Sequence, residues 1–516
     1  MNLLKRIFTF NNRSVLLIII VFCVVHALLI NVNKVEWGDT YRILRSSEYI
    51  KSFSYPADEK RPPLFSALIS LNSNVIDPLL FGKIIVFAFS LGSLIVLYNW
   101  LKKYTSNNKF VYLGLLLFIF NPVYLYWSIR VYADVVFSFW SLLVLYLYTT
   151  WRKQLDYKKL VFIGLLCGLA ILTRFEGYVL TASVLLALLL ENLKHLKQMA
   201  SSVFMLCTGL VAVALPWLIY RNPLTSSYFE EPSRRVYDLN MVLTFLVSLA
   251  FSFGFVYAIA LIAGLKNDLI ILAKNNLAPT FFCVFELILI LFWPAAIPRL
   301  FIPIIPWAII LIALGVERHF TNSITKYQIL IYSVLLLVYI WARFKLNLQF
   351  FIPIKTVFML VIALQIVILI AMFKKWYTIF AITTITSCAI WGISTIYLHR
   401  NVLISVKSAA EYASQNLIGI IGYNDTNAVS DWYLNYQSGG KTAGVYFKVY
   451  EGSDLTCKTV QNANLDYLIL TNENNRKMDI DLTKRSYLFL EKSFDFNVNG
   501  AGFFAKILRF EKEKCI

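Results

Sequence analysis

Charge is scarce in this sequence: Lys, Arg, Asp and Glu together make up only 15% of 516 residues. Soluble domains carry about 25% charged residues, so most of this chain is not built to face water. Histidine is rarer still. The four histidines (His26, His195, His319 and His399) are scattered and show none of the spacing that a metal centre requires. Cysteine numbers seven. Cys23, Cys167, Cys207, Cys283 and Cys388 lie inside apolar runs and read as small buried hydrophobes. Only Cys457 and Cys515 lie in the C-terminal tail, where they could pair if that tail occupies an oxidising compartment. Internal repeats and low-complexity tracts are absent too.

Apolar residues reach 59%, aromatic residues 16% and the mean hydropathy +0.66. A helix needs about 20 apolar residues to cross the hydrocarbon of a bilayer. Such runs fall near 14–32, 79–101, 110–127, 131–149, 160–174, 176–191, 200–220, 241–264, 278–296, 298–316, 327–343, 355–373 and 376–397. The pattern predicts a polytopic α-helical membrane protein with about thirteen transmembrane helices. The first run is too long, and too far from a small-residue cleavage site, to be a removable signal peptide.

Net charge is +19, yet nucleic acid is not the implied partner. The Lys and Arg residues sit in short loops, where they set topology and meet anionic headgroups. Lys5, Arg6 and Arg13, then Lys102-Lys103, Arg152-Lys153, Lys194, Lys266, Arg318 and Lys374-Lys375 occupy every second connection, which assigns those loops to the cytoplasm. Thirteen crossings then leave the C-terminal tail outside. Arg42, Arg45, Arg61, Arg234 and Arg235 break the rule and need another reason.

Two outer features stand out: a loop over 33–78 and the tail over 398–516, giving a membrane domain at 1–397 that includes the loop. In the tail a helix-period stretch, Ser405 to Asn416, precedes LIGIIGYND, KTAGVYF, LDYLILTN, YLFLEKSF and FFAKILRF. Alternating strands and helical patterns predict a small α/β domain.

Ionisable groups at membrane depth are costly, and therefore functional or paired. Asp39, Arg61, Arg130, Asp134, Arg174, Glu176, Arg221 and Arg299 all fall at outer helix ends or in the first outer loop, and none near the middle of a run. A transporter would place such charges at the bilayer midplane. Gathering at one interface implies a cavity open to that face, where a water-soluble group meets a lipid headgroup.

Each residue carries a plain and a chemical reading. Asp39, in the turn of VEWGDTYRILRSSEYI, is either a helix cap or a general base. Arg61, in KRPPLFSALIS, is either a snorkelling anchor or a phosphate ligand. Arg130 and Asp134 are spaced as an i,i+4 ion pair on one helix face. Alternatively, Asp134 faces Asp39 across the cavity, where two carboxylates could position an acceptor or hold a divalent cation. Gly164 and Gly168 in GLLCGLAILTRFEGYVL permit close helix packing. Arg174 and Glu176, in the hairpin that follows, either satisfy each other or leave the arginine for phosphate. Prolines break the chain around Arg299 in WPAAIPRLFIPIIPW, which is tolerated where backbone lines protein or a watery cavity.

The stretches GDTYRILRSSEYI, RPPLFSALIS, YADVVFSF, GLAILTRFEG and RLFIPIIPWAIILIALG, in this order over roughly 1–320, resemble the GT-C superfamily of polyprenyl-phosphate-sugar-dependent glycosyltransferases. The likeness is to the protein mannosyltransferase, aminoarabinose transferase and RgtA/B/C/D-like group. It implies an outward-facing cavity that binds a polyprenyl-phosphate sugar in a bacterial or archaeal cell membrane. An inverting transfer then delivers the sugar to a lipid, polysaccharide or protein acceptor on the extracytoplasmic side. By position Asp39 is the implied base. Many relatives read Asp-Glu where this chain reads Asp39-Thr40, so Asp134 or Glu36 would have to supply a second acid if two are needed. Arg61, Arg174 and Arg299 match basic positions and are assigned to the donor phosphate, with Glu36, Arg130, Glu176 and Arg221 in support. No cofactor is certain, and a divalent cation is the one candidate. The rival expectation is a flippase or transporter of lipid-linked saccharides, or a non-catalytic envelope assembly protein.

Overall fold

The computed structural model describes residues 13–72, 76–220, 239–254, 256–293, 297–321, 326–345, 355–449, 455–473, 485–498 and 501–514. Arg221, Arg234 and Arg235, like Lys5 and Arg6, lie outside the described residues.

Apolar runs become helices because lipid offers the backbone no alternative hydrogen-bond partner. In chain order they are α1 (Arg13–Leu29), α2 (Gly38–Lys51), α3 (Leu64–Ser70), α4 (Pro78–Tyr104), α5 (Asn108–Ile119), α6 (Pro122–Ser128), α7 (Ala133–Trp151), α8 (Tyr157–Thr173) and α9 (Gly177–Glu191). There follow α10 (Leu196–Tyr220), α11 (Leu239–Ser252), α12 (Val256–Ala263), α13 (Lys266–Asn275), α14 (Leu277–Phe292), a 3-10 helix Pro298–Ile304, α15 (Ile305–Thr321), α16 (Lys326–Lys345), α17 (Lys355–Phe373) and α18 (Tyr377–Leu398).

The chain is a multi-pass membrane protein of the expected class. Among the described residues six helices are long and apolar enough to cross a bilayer, or up to nine if each of three bent pairs is one span. Each bent pair was counted as a single run, so the gap between nine and thirteen comes from runs that form helices too short to pass as spans. The expected span 110–127 turns by 55° between α5 and α6. There Pro122 cannot continue a helix, and Asn121 starts a new one by accepting the amides of Val123 and Tyr124. Three shorter apolar helices, Arg13–Leu29, Gly177–Glu191 and Tyr327–Ala342, occupy other stretches where spans were expected.

The helices form one compact unit, made of the described residues of 1–30, 60–68 and 80–396. Polar side chains inside it are tied across helices: His26 meets the Ser128 hydroxyl at 2.8 Å, and Asn121 donates to the Ser252 carbonyl at 2.8 Å. Helices α8 and α10 pack backbone to backbone, and their glycines determine it. A Cβ on Gly164 would lie 2.0 Å from the Leu206 carbonyl oxygen, and one on Gly209 would lie 2.1 Å from that of Val161. Backbones meet there without side chains between them, as small residues allow in lipid.

The second unit comprises the described residues of 31–59, 69–79 and 397–516. Its longest segment begins at Tyr397. The first outer loop, expected to go with the membrane domain, clusters for the most part with the tail instead. All five strands read from the sequence are present: β1 (Gly419–Tyr423), β2 (Thr442–Tyr446), β3 (Tyr467–Thr471), β4 (Leu488–Val498) and β5 (Ala501–Phe510). Their order is β2-β1-β3-β5-β4, with the first three parallel and the last two antiparallel. Alternation along β3 sends Leu468 and Leu470 to one core and Ile469 to the other. Helices α19 (Ile404–Asn416) and α20 (Val429–Tyr436) supply Ala409, Ala413 and Leu434 to the core around Ile469. On the opposite face α21 (Cys457–Asn462) contributes Val460. Cys457 is disulfide-bonded, and Cys515 lies outside the described residues.

Replacing Gly164 with valine forces side-chain atoms into the α10 backbone. A loss of about 1–3 kcal/mol of stability is expected, read as a lower unfolding midpoint of the detergent-solubilised protein; an unchanged midpoint would mean that α8 and α10 do not touch there.

Candidate functional site

The membrane unit gathers its buried charge around one carboxylate. Asp134 lies in the first turn of α7, where the helix dipole favours a negative group, and is 2% exposed. Its Oδ1 lies 2.7 Å from Arg174 Nη1 and 3.6 Å from Arg299 Nε. Arg174 is the extended residue that ends α8, and the chain turns at once into α9 through Gly177, whose amide donates to the Arg174 carbonyl at 3.0 Å. Only glycine fits that turn, since a Cβ would lie 2.4 Å from the Ile171 nitrogen. Arg174 also reaches Glu176, with its Nε 3.0 Å from Oε1 and Nη2 on the same oxygen.

Arg299 comes from the proline-flanked 3-10 helix, and its guanidinium faces the rings of Tyr132 at 5.1 Å and Trp127 at 5.4 Å. The side chains of Arg174 and Arg299 keep 13% and 18% of their surface accessible. One shared acid therefore sets two arginines side by side while leaving part of each open.

The structure alters the picture drawn from the sequence at three residues. Arg130 does not share a helix face with Asp134, because α7 starts only at Ala133. It sits in the turn before the helix, fully buried, with its guanidinium 4.5 Å from the centre of the Tyr126 ring. Asp134 does not stand alone at the site but is engaged by two guanidinium groups. No group of three or more His, Cys, Asp or Glu residues with metal-binding geometry occurs among the described residues.

The third change is Glu286, which the sequence reading passed over. It lies inside α14, is 1% exposed, has a buried Oε2 without a hydrogen-bond partner, and is within electrostatic range of Glu176, Arg174 and Asp134. An acid alone in the apolar run VFELILILFW was visible signal, since such groups inside spans are rarely idle.

Asp39 belongs to the other unit. The expected short amphipathic helix is α2, which buries Thr40, Tyr41, Ile43, Leu44, Ser46 and Ser47. Asp39 is not its cap: Trp37 holds the cap position without a side-chain hydrogen bond, and the half-buried Asp39 lies in the first turn. Glu36 is fully buried just before it. Arg61, half-buried in the membrane unit, precedes Pro62-Pro63 and the helix α3.

Part of the chain matches a protein family, and nearly all of it matches a solved fold. Residues 60–220 match the family of dolichyl-phosphate-mannose-protein mannosyltransferases. Over nearly its whole length the chain has an ArnT-like fold, which is the kind of architecture the resemblance read from the sequence implied. In particular it is similar to ArnT from Cupriavidus metallidurans bound to undecaprenyl phosphate, with a TM-score of 0.61 and 12% identity over 96% of this chain and 97% of that one. The same protein in its apo state gives a TM-score of 0.61 and 12% identity over 95% and 97%. No curated protein sequence matches the chain.

Removing Arg174 would leave Asp134 and Glu176 buried with one guanidinium fewer. Arg174→Ala is expected to cost about 3–5 kcal/mol, seen as a large drop in the unfolding midpoint. Glu286→Gln replaces a buried carboxyl group at nearly constant shape and should leave the midpoint unchanged or raise it; the reverse order of the two variants would refute this account of the cluster.

Proposed function

We infer that this chain is a glycosyltransferase that moves a sugar from a polyprenyl-phosphate donor to an acceptor on the extracytoplasmic side of a bacterial or archaeal cell membrane. The observation that carries the reading is the pair Arg174 and Arg299, organised by buried Asp134 inside a GT-C fold. Guanidinium groups held in advance where negative charge develops lower a barrier without reorganising during the reaction. A departing polyprenyl phosphate develops such charge. Arg61 is the third cation of the donor site, and Glu176 and Glu286 set the position of Arg174.

In this reading an acceptor hydroxyl attacks the anomeric carbon as the bond from that carbon to the phosphate oxygen breaks, with inversion. Asp39 takes the hydroxyl proton, and polyprenyl phosphate leaves with the electron pair. The acceptor is a lipid, a polysaccharide or a protein. The tail lies on the outer side with the acceptor.

Glu286 is also the observation that speaks for transport, since a carboxyl group inside a span is what a transporter would hold. Its electrostatic neighbours are Glu176, Arg174 and Asp134. It therefore belongs to the arginine cluster and does not form a separate midplane site, which favours the enzyme.

Asp39→Asn is expected to abolish sugar transfer in purified protein with normal folding; full activity would remove Asp39 from the base role. Arg299→Ala should raise the apparent KM for the lipid donor about tenfold or more and leave the acceptor KM nearly unchanged, the size of effect expected for a charge-assisted contact of 1.5–3 kcal/mol. Unchanged donor kinetics would reject the phosphate assignment.

A further inference from the structure

We propose that the C-terminal α/β domain acts as a clamp that positions Asp39, gripping the start of α2 at the crevice where such sheets ordinarily take a ligand. The proposal rests on the reading of Asp39 as the base.

In the order β2-β1-β3, strand β1 has its successor β2 on one side and β3 on the other. Strand order therefore reverses between β1 and β3, and the crevice outside the carboxyl ends of these strands is the place where open α/β sheets bind. Asn424 follows β1 directly and ties the two strand ends together. Its Nδ2 donates to the Thr471 carbonyl at 3.0 Å, and its Oδ1 accepts the Thr471 amide at 2.9 Å. Asp425 shapes the loop that follows, accepting the amides of Asn427 at 2.7 Å and Ser430 at 2.9 Å. Burial pushes its carboxyl above the usual range in spite of these donors.

Against this loop lies Gly38, the residue before Asp39. A Cβ on Gly38 would come within 3.1 Å of Asn427 Cα and 3.2 Å of its carbonyl oxygen. Both are backbone atoms of a residue whose amide Asp425 holds, so a side chain at 38 would press on the loop.

Contacts continue on either side of Asp39. Lys407 of α19 donates to the Lys34 carbonyl at 3.2 Å. Trp37 meets the His399 ring edge-on at 5.9 Å, and Tyr41 meets Tyr433 of α20 at 6.5 Å. The chain is thus held at 34, 37, 38 and 41 by elements of the tail.

A helix as short as α2 is marginal by itself in water, and this one lacks a side-chain cap. Its first turn owes its place to the domain. For a catalytic group that matters, because displacement by about 1 Å can cost 10²-fold in rate. Asn427 and Tyr433 are then positioning residues, and the crevice holds a piece of the chain's own outer loop in place of a ligand.

The test uses the full-length protein in detergent or nanodiscs. Gly38→Ala should lower kcat about tenfold with the donor KM unchanged and with faster amide exchange confined to residues 38–51. Adding Gly38→Ala to Asp39→Asn should cause no further loss. If Gly38→Ala does not fold, Tyr433→Leu decides in its place, with the same expected split. Wild-type kcat in the variant, with Asp39→Asn inactive, overturns the clamp and leaves the base assignment standing. An active Asp39→Asn overturns both.

Discussion

A carboxylate inside a bundle of apolar helices has to be met by charge, and the way Asp134 is met organises the membrane unit. Burying one ion is expensive, and burying several is tolerable only when hydrogen bonds and opposite charges leave none uncompensated. Asp134 achieves this with Arg174 and Arg299, and Arg174 in turn reaches Glu176. Those side chains come from the start of α7, the end of α8, the turn into α9 and the 3-10 helix before α15. One ion cluster therefore ties together elements separated by more than a hundred residues of chain. Burial strengthens the same interactions through low dielectric, so what holds the elements in register also fixes two partly exposed guanidinium groups in place.

The two compact units solve different problems. Lipid-facing helices need internal hydrogen bonds and close packing, which the α8–α10 glycines and the Asn121 break supply. The other unit folds as a water-soluble sheet with helices, through ordinary apolar burial on both faces. Its use of a strand-order reversal to seat the first outer loop connects a generic property of α/β sheets to the placement of one aspartate.

Much of this was legible in the residues. Lipid admits few backbone solutions, so long apolar runs announced helices, and short stretches of strand character alternating with turns announced all five strands. Gly164 announced a close helix contact for the same kind of reason: only a missing side chain allows it. The likeness to GT-C enzymes rested on short stretches whose order survives in the fold. What escaped was whatever depended on where a helix bends or begins. Arg130 and Asp134 look paired at i,i+4, but Ala133 opens the helix after Arg130, and the spacing rule does not apply across a turn. Glu286 was hidden by its surroundings, a single acid averaged away in an apolar window.

By itself the sequence determined the class of the protein, the strands of its tail and the types of residue available for chemistry, because these follow from local hydropathy, periodicity and charge. Tertiary structure alone decided that one carboxylate serves two arginines, that Glu286 joins them, and that the outer loop carrying Asp39 goes with the tail. Those are convergences of residues far apart in the chain. No local pattern encodes them, since they are chosen by which burial leaves the fewest charges and backbone groups unsatisfied over the whole fold.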